Sequence, residues 1–331
     1  MEKLLTIVVP VYKVEPYINK CLDSCLLYKT NEQGEKVLDE GLMNQLEVII
    51  VNDGTPDRSA EMSREYVKRY PQTFRQIDKE KGGHGSAWNV GLKEATGKYL
   101  RFLDSDDWLT NLDLLLEKLN ATETDVVVTA MNTCDEQTGK VSTISLAKTI
   151  GVDMPVKSGE FGGNMSNFWC ATYKTSLLKP LYPLFLEGVS YDDSILYIVP
   201  HLCADSFVAF DFVVYNYLVG RDGQSMNVSI QTRKIPDMFK NYKHLLDFVE
   251  MHNEGVIDEY VEEVLAHNRW TMFNVIPFVS NYQQSMAYMK ELLSLGSLEH
   301  ITTKKYRRFK TLPYRLFYSI ENMKNRNGNS K

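Results

Sequence analysis

The sequence contains few cysteines and lacks any long hydrophobic run. Its 331 residues include five cysteines, an odd number without C-x-x-C spacing, which excludes a disulfide framework and a cysteine-based zinc site. The first apolar run, residues 4–9, is too short for a signal-peptide core or a membrane span, so we expect a cytoplasmic protein. At roughly 150 residues per domain, the length predicts two domains or one domain with an appendage.

Two common nucleotide-binding motifs are also absent. The segment 81–86 (KGGHGS) is glycine-rich, but Trp88 stands where G-x-G-x-x-G requires its third glycine, which excludes the dehydrogenase fingerprint. Walker A fails because Tyr99 follows Gly97-Lys98. What remains is a loop that enters a helix N-terminus and can present N–H groups to anions. In that loop His84 is expected to be a solvated residue rather than a ligand contact.

The net charge of −6 is small because two regions of opposite charge cancel. Residues 304–331 carry nine Lys or Arg and a single acid, Glu321, for a local charge of +8, which leaves −14 on the rest of the chain. An acidic body excludes a protein that coats nucleic acid generally, whereas a basic tail fits a local anionic partner such as a membrane surface.

The first 130 residues alternate short β-branched runs with amphipathic stretches, a pattern typical of a parallel α/β sheet. The predicted strands are residues 4–9, 46–51, 74–77, 99–103 and 126–130, and the predicted helices are 17–26, 59–70 and 86–95. Pro10 is expected to end the first strand, and the polar residues 29–44 to form an inserted loop. The alternation weakens after residue 131, and after residue 234 the pattern becomes helical.

Polar residues follow three of the predicted strands, in the sequences Pro10-Val11-Tyr12, Asn52-Asp53-Gly54 and Asp104-Ser105-Asp106-Asp107. Ligands of parallel sheets bind beyond these carboxyl ends. The carboxylates of Asp104 and Asp106 suit Mg²⁺ or Mn²⁺, which complete their shell with water and phosphates. The alternative is that Asp106-Asp107 cap the next helix. Asp53 either accepts a hydrogen bond from a base or ribose or bonds its own Asp-Gly turn.

A second acid pair, Asp192-Asp193, precedes the apolar stretch 195–199. An ionised Asp at this position could act as a general base that takes a proton from a hydroxyl nucleophile. Acids are equally favoured at a helix start by the helix dipole. The spacing of the pair leaves both interpretations open.

Taken together, these segments resemble the inverting glycosyltransferases of family 2, which have the GT-A fold. The resemblance is carried by residues 6–12, 48–55, 89–92 and 95–107, which occur in the family's order. It implies a Rossmann-like, mainly parallel sheet flanked by helices over residues 1–225. Residues 226–331 are then a helical C-terminal extension.

The resemblance also implies roles for residues on the nucleotide side of the site. Asp53 would bond the base and Asp104 would face the ribose. The nucleotide base would be lined by Pro10, Val11 and Tyr12. Two more residues are assigned to the nucleotide site, Gly83 in the glycine-rich loop and Ser105 after the strand 99–103. Trp88 stands where members often have Arg, so the diphosphate or base contact that Arg would make there is not expected.

The catalytic roles follow from the same resemblance. Asp106, with Asp104, would hold Mn²⁺ or Mg²⁺ against the donor diphosphate. Asp193 would be the general base, with Asp192 as the fallback. Arg221 and Ser225 resemble a flexible segment that touches the diphosphate.

The implied activity is transfer of a single sugar from a nucleotide sugar, with a UDP-sugar preferred, to a saccharide or lipid-linked saccharide in cell-surface polysaccharide synthesis. The processive Gln-x-x-Arg-Trp signature is absent, which speaks against a polymerising synthase. A nucleotidyltransferase would need a glycine-rich basic loop where residues 10–13 offer none. A non-catalytic subunit of a partner transferase would be expected to lose the metal pair or the base, and both are present.

The basic tail has two alternative interpretations. Apolar residues recur at three- and four-residue steps among basic ones, the apolar set being Phe309, Leu312, Leu316, Ile320 and Met323, with Tyr306 and Phe317 alongside. Such a stripe predicts an interfacial helix on anionic lipid over residues 304–326. Equally, it predicts a helix packed on its own domain with solvated charges.

Overall fold

The computed structural model describes residues 3–144, 150–158, 160–161, 167–221, 227–253, 255, 257–296, 298 and 304–328. The chain divides into two compact units, Met1–Arg221 and Asp222–Lys331.

The first unit contains all of the described strands. They are β1 Leu5–Val11, β2 Tyr28–Thr30, β3 Lys36–Leu38, β4 Leu46–Asn52, β5 Phe74–Asp78, β6 Tyr99–Phe102, β7 Trp108–Leu109, β8 Val126–Asp135, β9 Val141–Ile144, β10 Met154–Pro155, β11 Ala171–Lys174 and β12 Ser206–Val219. Its helices are α1 Ile18–Asp23, α2 Glu40–Met43, α3 Ser59–Arg69, α4 His84–Glu94, α5 Leu112–Asn120, α6 Thr175–Leu178 and α7 Val199–Cys203. Short 3₁₀ segments cover Val156–Ser158, Lys179–Leu181 and Asp192–Tyr197.

Ten of the described strands form one mixed sheet, in the order β10-β12-β8-β11-β6-β1-β4-β5, with β7 paired to β12 and β9 to β8. The strands β6, β1, β4 and β5 are parallel neighbours, as the repeated strand and helix pattern predicts. Every antiparallel pair within this sheet includes β9, β10, β11 or β12, which follow residue 131. The α/β class is thus confirmed, and its antiparallel part arises where the alternation weakens.

The central strand β1 is fully buried and runs through Pro10 to Val11, so the prediction that Pro10 ends it was wrong. The Val8 carbonyl accepts from Leu103 on the β6 side, and the Val11 carbonyl accepts from Asp53 on the β4 side. Because backbone groups alternate along a strand, Pro10 faces the β6 side. Pairing with β6 has already ended at Val8, so no ladder bond requires the missing N–H.

Helix α4 packs closely on β1. A Cβ on Gly91 would lie 2.1 Å from Cγ1 of Val8, so only glycine lets the helix approach this strand. The close approach brings the N-terminus of α4, at His84, to the carboxyl edge of the sheet.

The polar insertion is more ordered than predicted. Residues 28–38 form a two-stranded antiparallel hairpin from β2 and β3, and α2 follows with Asp39 as its N-cap. The expectation of a plain loop over residues 29–44 was therefore wrong.

The second unit consists of helices in its described residues. They are α8 Val228–Arg233, α9 Ile235–His252, α10 Glu259–Val275, α11 Tyr282–Ser294, α12 Lys304–Thr311 and α13 Tyr314–Gly328, with a 3₁₀ segment at Ile276–Phe278. Among the residues described, no helix combines the length and apolar character that crossing a membrane requires.

The basic tail packs partly on this unit. Phe317 is fully buried, and its ring lies 5.9 Å from that of Phe273 on α10. Phe309 contacts both rings, at 5.2 and 5.4 Å between centroids. Leu316 and Met323 point outward, 49% and 59% exposed. The stripe is thus divided between a packed face and an exposed one.

Candidate active site

Asp53 follows β4 and is 3% exposed. Its Oδ1 accepts hydrogen bonds from the Gly82 N–H at 2.7 Å and Lys79 Nζ at 2.8 Å, and its Oδ2 accepts from the Gly83 N–H at 2.8 Å. Asn52, rather than Asp53, closes the local turn, because the Asn52 Oδ1 accepts a hydrogen bond from the Thr55 N–H. The self-bonded turn was therefore the wrong interpretation of Asp53. A carboxylate has about four acceptor positions, so one is left for a ligand.

The end of β1 lies beside the same loop. Pro10 and Val11 are buried and Tyr12 is half-buried. Lys81 Nζ donates to the Tyr12 hydroxyl at 2.8 Å and lies 4.3 Å from its ring centroid. The hydrogen bond from Lys81 lowers the pKa of Tyr12. The residues predicted to line the base thus lie next to the glycine loop that Asp53 holds.

The acidic segment after β6 does not cap a helix. Helix α5 begins at Leu112, and its N-cap is Asn111, so the capping interpretation of Asp106-Asp107 was wrong. Asp107 is buried, accepting from the Tyr215 hydroxyl and the Leu218 N–H, each at 2.7 Å. Burial and the neighbouring acids raise its pKa well above the usual range. Asp107 therefore ties the segment to β12.

Asp106 forms an ion pair with Arg221, the last residue of the first unit. Burial and the charge of Asp104 raise the pKa of Asp106, and the Arg221 guanidinium opposes the rise. Ser105 is buried beside it. Ser225 lies outside the described residues.

Asp104 and Asp106 bring two carboxylates to this edge of the sheet. In the part of the chain that the structure describes, no three His, Cys, Asp or Glu side chains form a metal-binding group. A two-carboxylate site suits Mg²⁺ or Mn²⁺, which take their other ligands from water and substrate phosphates. The guanidinium against Asp106 shows that a positive charge is accommodated there.

His84 links this segment to the second acid pair. Its Nε2 lies 3.0 Å from Oδ1 of Asp104, and its Nδ1 lies 3.3 Å from both oxygens of Asp192. Burial alone would lower the pKa of His84, but Asp192 and Asp104 outweigh it and hold that pKa well above its ordinary value. The expectation that His84 is a solvated loop residue was wrong.

Asp192 and Asp193 begin a 3₁₀ segment after Tyr191, whose φ of 65° is left-handed. Asp192 is 4% exposed and faces His84. Burial first, and then the charge of Asp192, raises the pKa of Asp193 to about 7. A carboxyl group whose pKa lies near neutrality can exchange protons at physiological pH.

The glycine loop leaves no space beside Asp192. A Cβ on Gly85 would lie 2.4 Å from Oδ2 of Asp192 and 2.5 Å from the Leu186 carbonyl oxygen. The Gly188 N–H donates to the Gly82 carbonyl at 2.6 Å. The loop that carries His84 is therefore packed against the segment that precedes the acid pair.

Trp88 is a core residue. It is fully buried and its ring lies 4.5–5.2 Å from those of Phe102, Phe168 and Phe185. The His84 ring lies 4.1 Å from it, one helical turn away. Trp88 thus supports the imidazole from behind instead of reaching a ligand.

Comparisons with known proteins identify the family of the chain. Residues 6–176, more than half of the chain, match the family described as Glycosyl transferase family 2. The putative glycosyltransferase EpsH of Bacillus subtilis is 28% identical over 82% of this chain and 76% of its own length. The uncharacterized glycosyltransferase EpsJ of the same organism is 40% identical over 38% of this chain, a match that spans only 33% of EpsJ.

A solved structure shares the fold. The crystal structure of residues 1–349 of S. aureus TarS with UDP-GlcNAc superposes with a TM-score of 0.67 at 19% identity, covering 97% of this chain and 89% of that one. TarS is a poly(ribitol-phosphate) beta-N-acetylglucosaminyltransferase. The likeness confirms the predicted GT-A fold with its C-terminal helical region.

Proposed function

Because this chain belongs to glycosyl transferase family 2, we propose that it transfers one sugar, with inversion, from a UDP-sugar to a saccharide or lipid-linked saccharide acceptor. The observation that carries the proposal is the His84 imidazole between Asp104 and Asp192, which places the strand-end acids and the second acid pair in one crevice. The UDP-GlcNAc complex of TarS supports a UDP-sugar. The name of TarS specifies poly(ribitol-phosphate), which supports the further proposal that this chain acts in cell-surface polymer synthesis.

The donor nucleotide would bind at the ends of β1 and β4. Asp53 keeps one acceptor position for a base N–H, beside the wall made by Pro10, Val11 and Tyr12. The Asp104 carboxylate is partly exposed and would accept from the ribose. Gly83 and the buried Ser105 would shape this pocket.

Asp106 and Asp104 would hold Mn²⁺ or Mg²⁺. Such an ion supplies a Lewis acid that offsets the charge on the departing diphosphate, an effect typically worth several kcal/mol. Arg221 would leave Asp106 when the ion and donor bind, and its guanidinium would then contact the diphosphate, together with Ser225.

Asp193 would be the general base. Asp192 is occupied by His84 and buried, which favours its neighbour for proton transfer. Asp193 would take the proton of the acceptor hydroxyl while that oxygen attacks the anomeric carbon from the face opposite the diphosphate. One such displacement inverts the configuration.

A donor panel tests this proposal. The full chain is incubated with UDP-, GDP- and dTDP-sugars, with Mn²⁺, with Mg²⁺ or with EDTA, and nucleotide release is measured. We expect UDP release from one UDP-sugar, and loss of that release with EDTA. Binding of UDP without any release would favour the non-catalytic subunit, and equal release with EDTA would exclude the metal.

We also propose that the exposed face of α13 rests on anionic lipid. Leu316 and Met323 are exposed apolar residues on this helix, and Arg307 and Lys310 of α12 and Arg315 of α13 are exposed basic residues. An apolar stripe among basic residues fits the boundary between headgroups and acyl chains. The face buried against Phe273 takes no part in this contact.

Vesicle flotation tests the lipid contact. Removal of the whole tail would expose the core around Phe317, so the variant carries Leu316→Asp and Met323→Asp instead. We expect it to float less than the native chain with phosphatidylglycerol vesicles. Met251→Asp, at a 77% exposed residue of α9, is the control and should float like the native chain. Equal flotation of all three proteins would contradict the contact.

A further inference from the structure

The placement of His84 has a consequence for the reaction. The residue begins α4, and α4 is pressed against β1 at Gly91. One face of its imidazole is backed by the fully buried Trp88. Both ring nitrogens are then directed at carboxylates from distant parts of the chain, Asp104 after β6 and Asp192 in the 3₁₀ segment. The ring is therefore fixed on three sides.

The two carboxylates belong to different halves of the crevice. Asp104 lies on the strand-end side with Asp106, whereas Asp192 adjoins Asp193. With one ring nitrogen 3.0 Å from Asp104 and the other 3.3 Å from Asp192, the imidazole lies between the two carboxylates and sets their separation. Gly85 makes room for the Asp192 carboxylate, because a Cβ there would lie 2.4 Å from Oδ2.

We propose that His84 is a positioning residue that sets the distance between donor and base, with its Nε2 arm holding Asp104 and its Nδ1 arm holding Asp192. This inference rests on the proposed function. The Nε2 arm governs donor affinity, because Asp104 must face the nucleotide. The Nδ1 arm governs turnover, because Asp192 fixes the backbone from which Asp193 projects.

Two amide substitutions separate the arms. In His84→Asn the amide nitrogen falls near the position of Nδ1, so the Asp192 contact is retained and the Asp104 contact is lost. In His84→Gln it falls near the position of Nε2, which retains Asp104 and loses Asp192. A hydrogen bond to a charged group corresponds to roughly ten- to hundredfold in an equilibrium constant, which sets the scale of each effect.

The experiment measures kcat and donor KM for transfer, together with UDP affinity by calorimetry in Mn²⁺. We expect His84→Asn to weaken UDP binding and to raise the donor KM about tenfold or more. The kcat of this variant should change by a smaller factor than its KM. We expect His84→Gln to lower kcat about tenfold or more, with UDP affinity near the native value. His84→Ala should show both defects. The same exchanges at His267, an exposed residue of α10, are controls that should change neither.

A residue that only supports the fold would move both constants together in both amide variants, and that result would overturn the proposal. So would a native-like Ala variant. If the native chain turns over no donor, the proposed function fails, but the order of UDP affinities still decides the donor arm. Equal UDP affinity in the Asn and Gln variants would then contradict it.

Discussion

Acidic side chains are neutralised differently in the two units of the chain. The crevice of the first unit contains five carboxyl groups, those of Asp104, Asp106, Asp107, Asp192 and Asp193. Among the described residues, the cations paired with them are His84 and Arg221. In the second unit the buried Glu321 has two cations to itself, Arg308 at 2.7 Å and Lys305 at 3.9 Å. Carboxyl groups outnumber the cations against them in the crevice, which supports the proposed metal site. The carboxylate in the helical unit is fully paired, which is typical of a structural contact.

The largest expected effect tests the unbalanced site. Asp193→Asn preserves the shape of the side chain but removes its ability to accept a proton, so kcat should fall about 10²- to 10⁴-fold. UDP affinity, measured by calorimetry, should stay near the native value. Near-normal turnover in this variant would show that Asp193 is not the base, and Asp192→Asn would then be the next variant to measure.

The paired carboxylate of the second unit should respond in stability instead. Glu321→Gln leaves Arg308 and Lys305 without their counter-charge, and breaking a buried ion pair typically costs about 3–5 kcal/mol. Because Arg308 is partly exposed, we expect the lower end of that range in urea unfolding. The control is Glu291→Gln, which removes a surface pair with Lys243 and should cost less than about 1 kcal/mol. Equal losses in the two variants would remove the distinction between the sites.

The smallest effect is a pH dependence of the crevice. Burial and Asp192 raise the pKa of Asp193 to about 7, and a general base works only when ionised. Because this pKa belongs to the unliganded chain, kcat/KM should fall about tenfold per pH unit below 7 and level off above it. An ordinary aspartate has a pKa near 4, so a flat profile between pH 5 and 8 would contradict the assignment.

The sequence predicted the parts of the fold that depend on neighbouring residues. The strands β1, β4, β5 and β6 and their helices follow from local periodicity, and the strand-end acids follow from where those strands stop. The family and the GT-A fold were also within reach, because their motifs lie close together in residues 6–107. The assigned roles of the site residues stay predictions.

Contacts between distant residues could not be predicted in this way. His84 and Asp192 are 108 positions apart, as are Asp107 and Tyr215. A single sequence carries no signal for such pairs, so it predicts a solvated His84 and leaves a helix cap open as an alternative for Asp106-Asp107. The glycine-rich segment around His84 was the available hint, because glycines often mark a close approach of backbone to another group.

The clamp of Asp53 on the glycine loop bears on the entropy of binding. Fixing the backbone of one residue costs about 1–2 kcal/mol at room temperature. Asp53 holds the N–H groups of Gly82 and Gly83, and Gly188 holds the carbonyl of Gly82, so this cost is met during folding. A nucleotide that binds as proposed would meet a loop that is already ordered, so less of the free energy of its contacts would be lost to ordering the chain. The rigidity of the loop would in this way raise the affinity for the nucleotide.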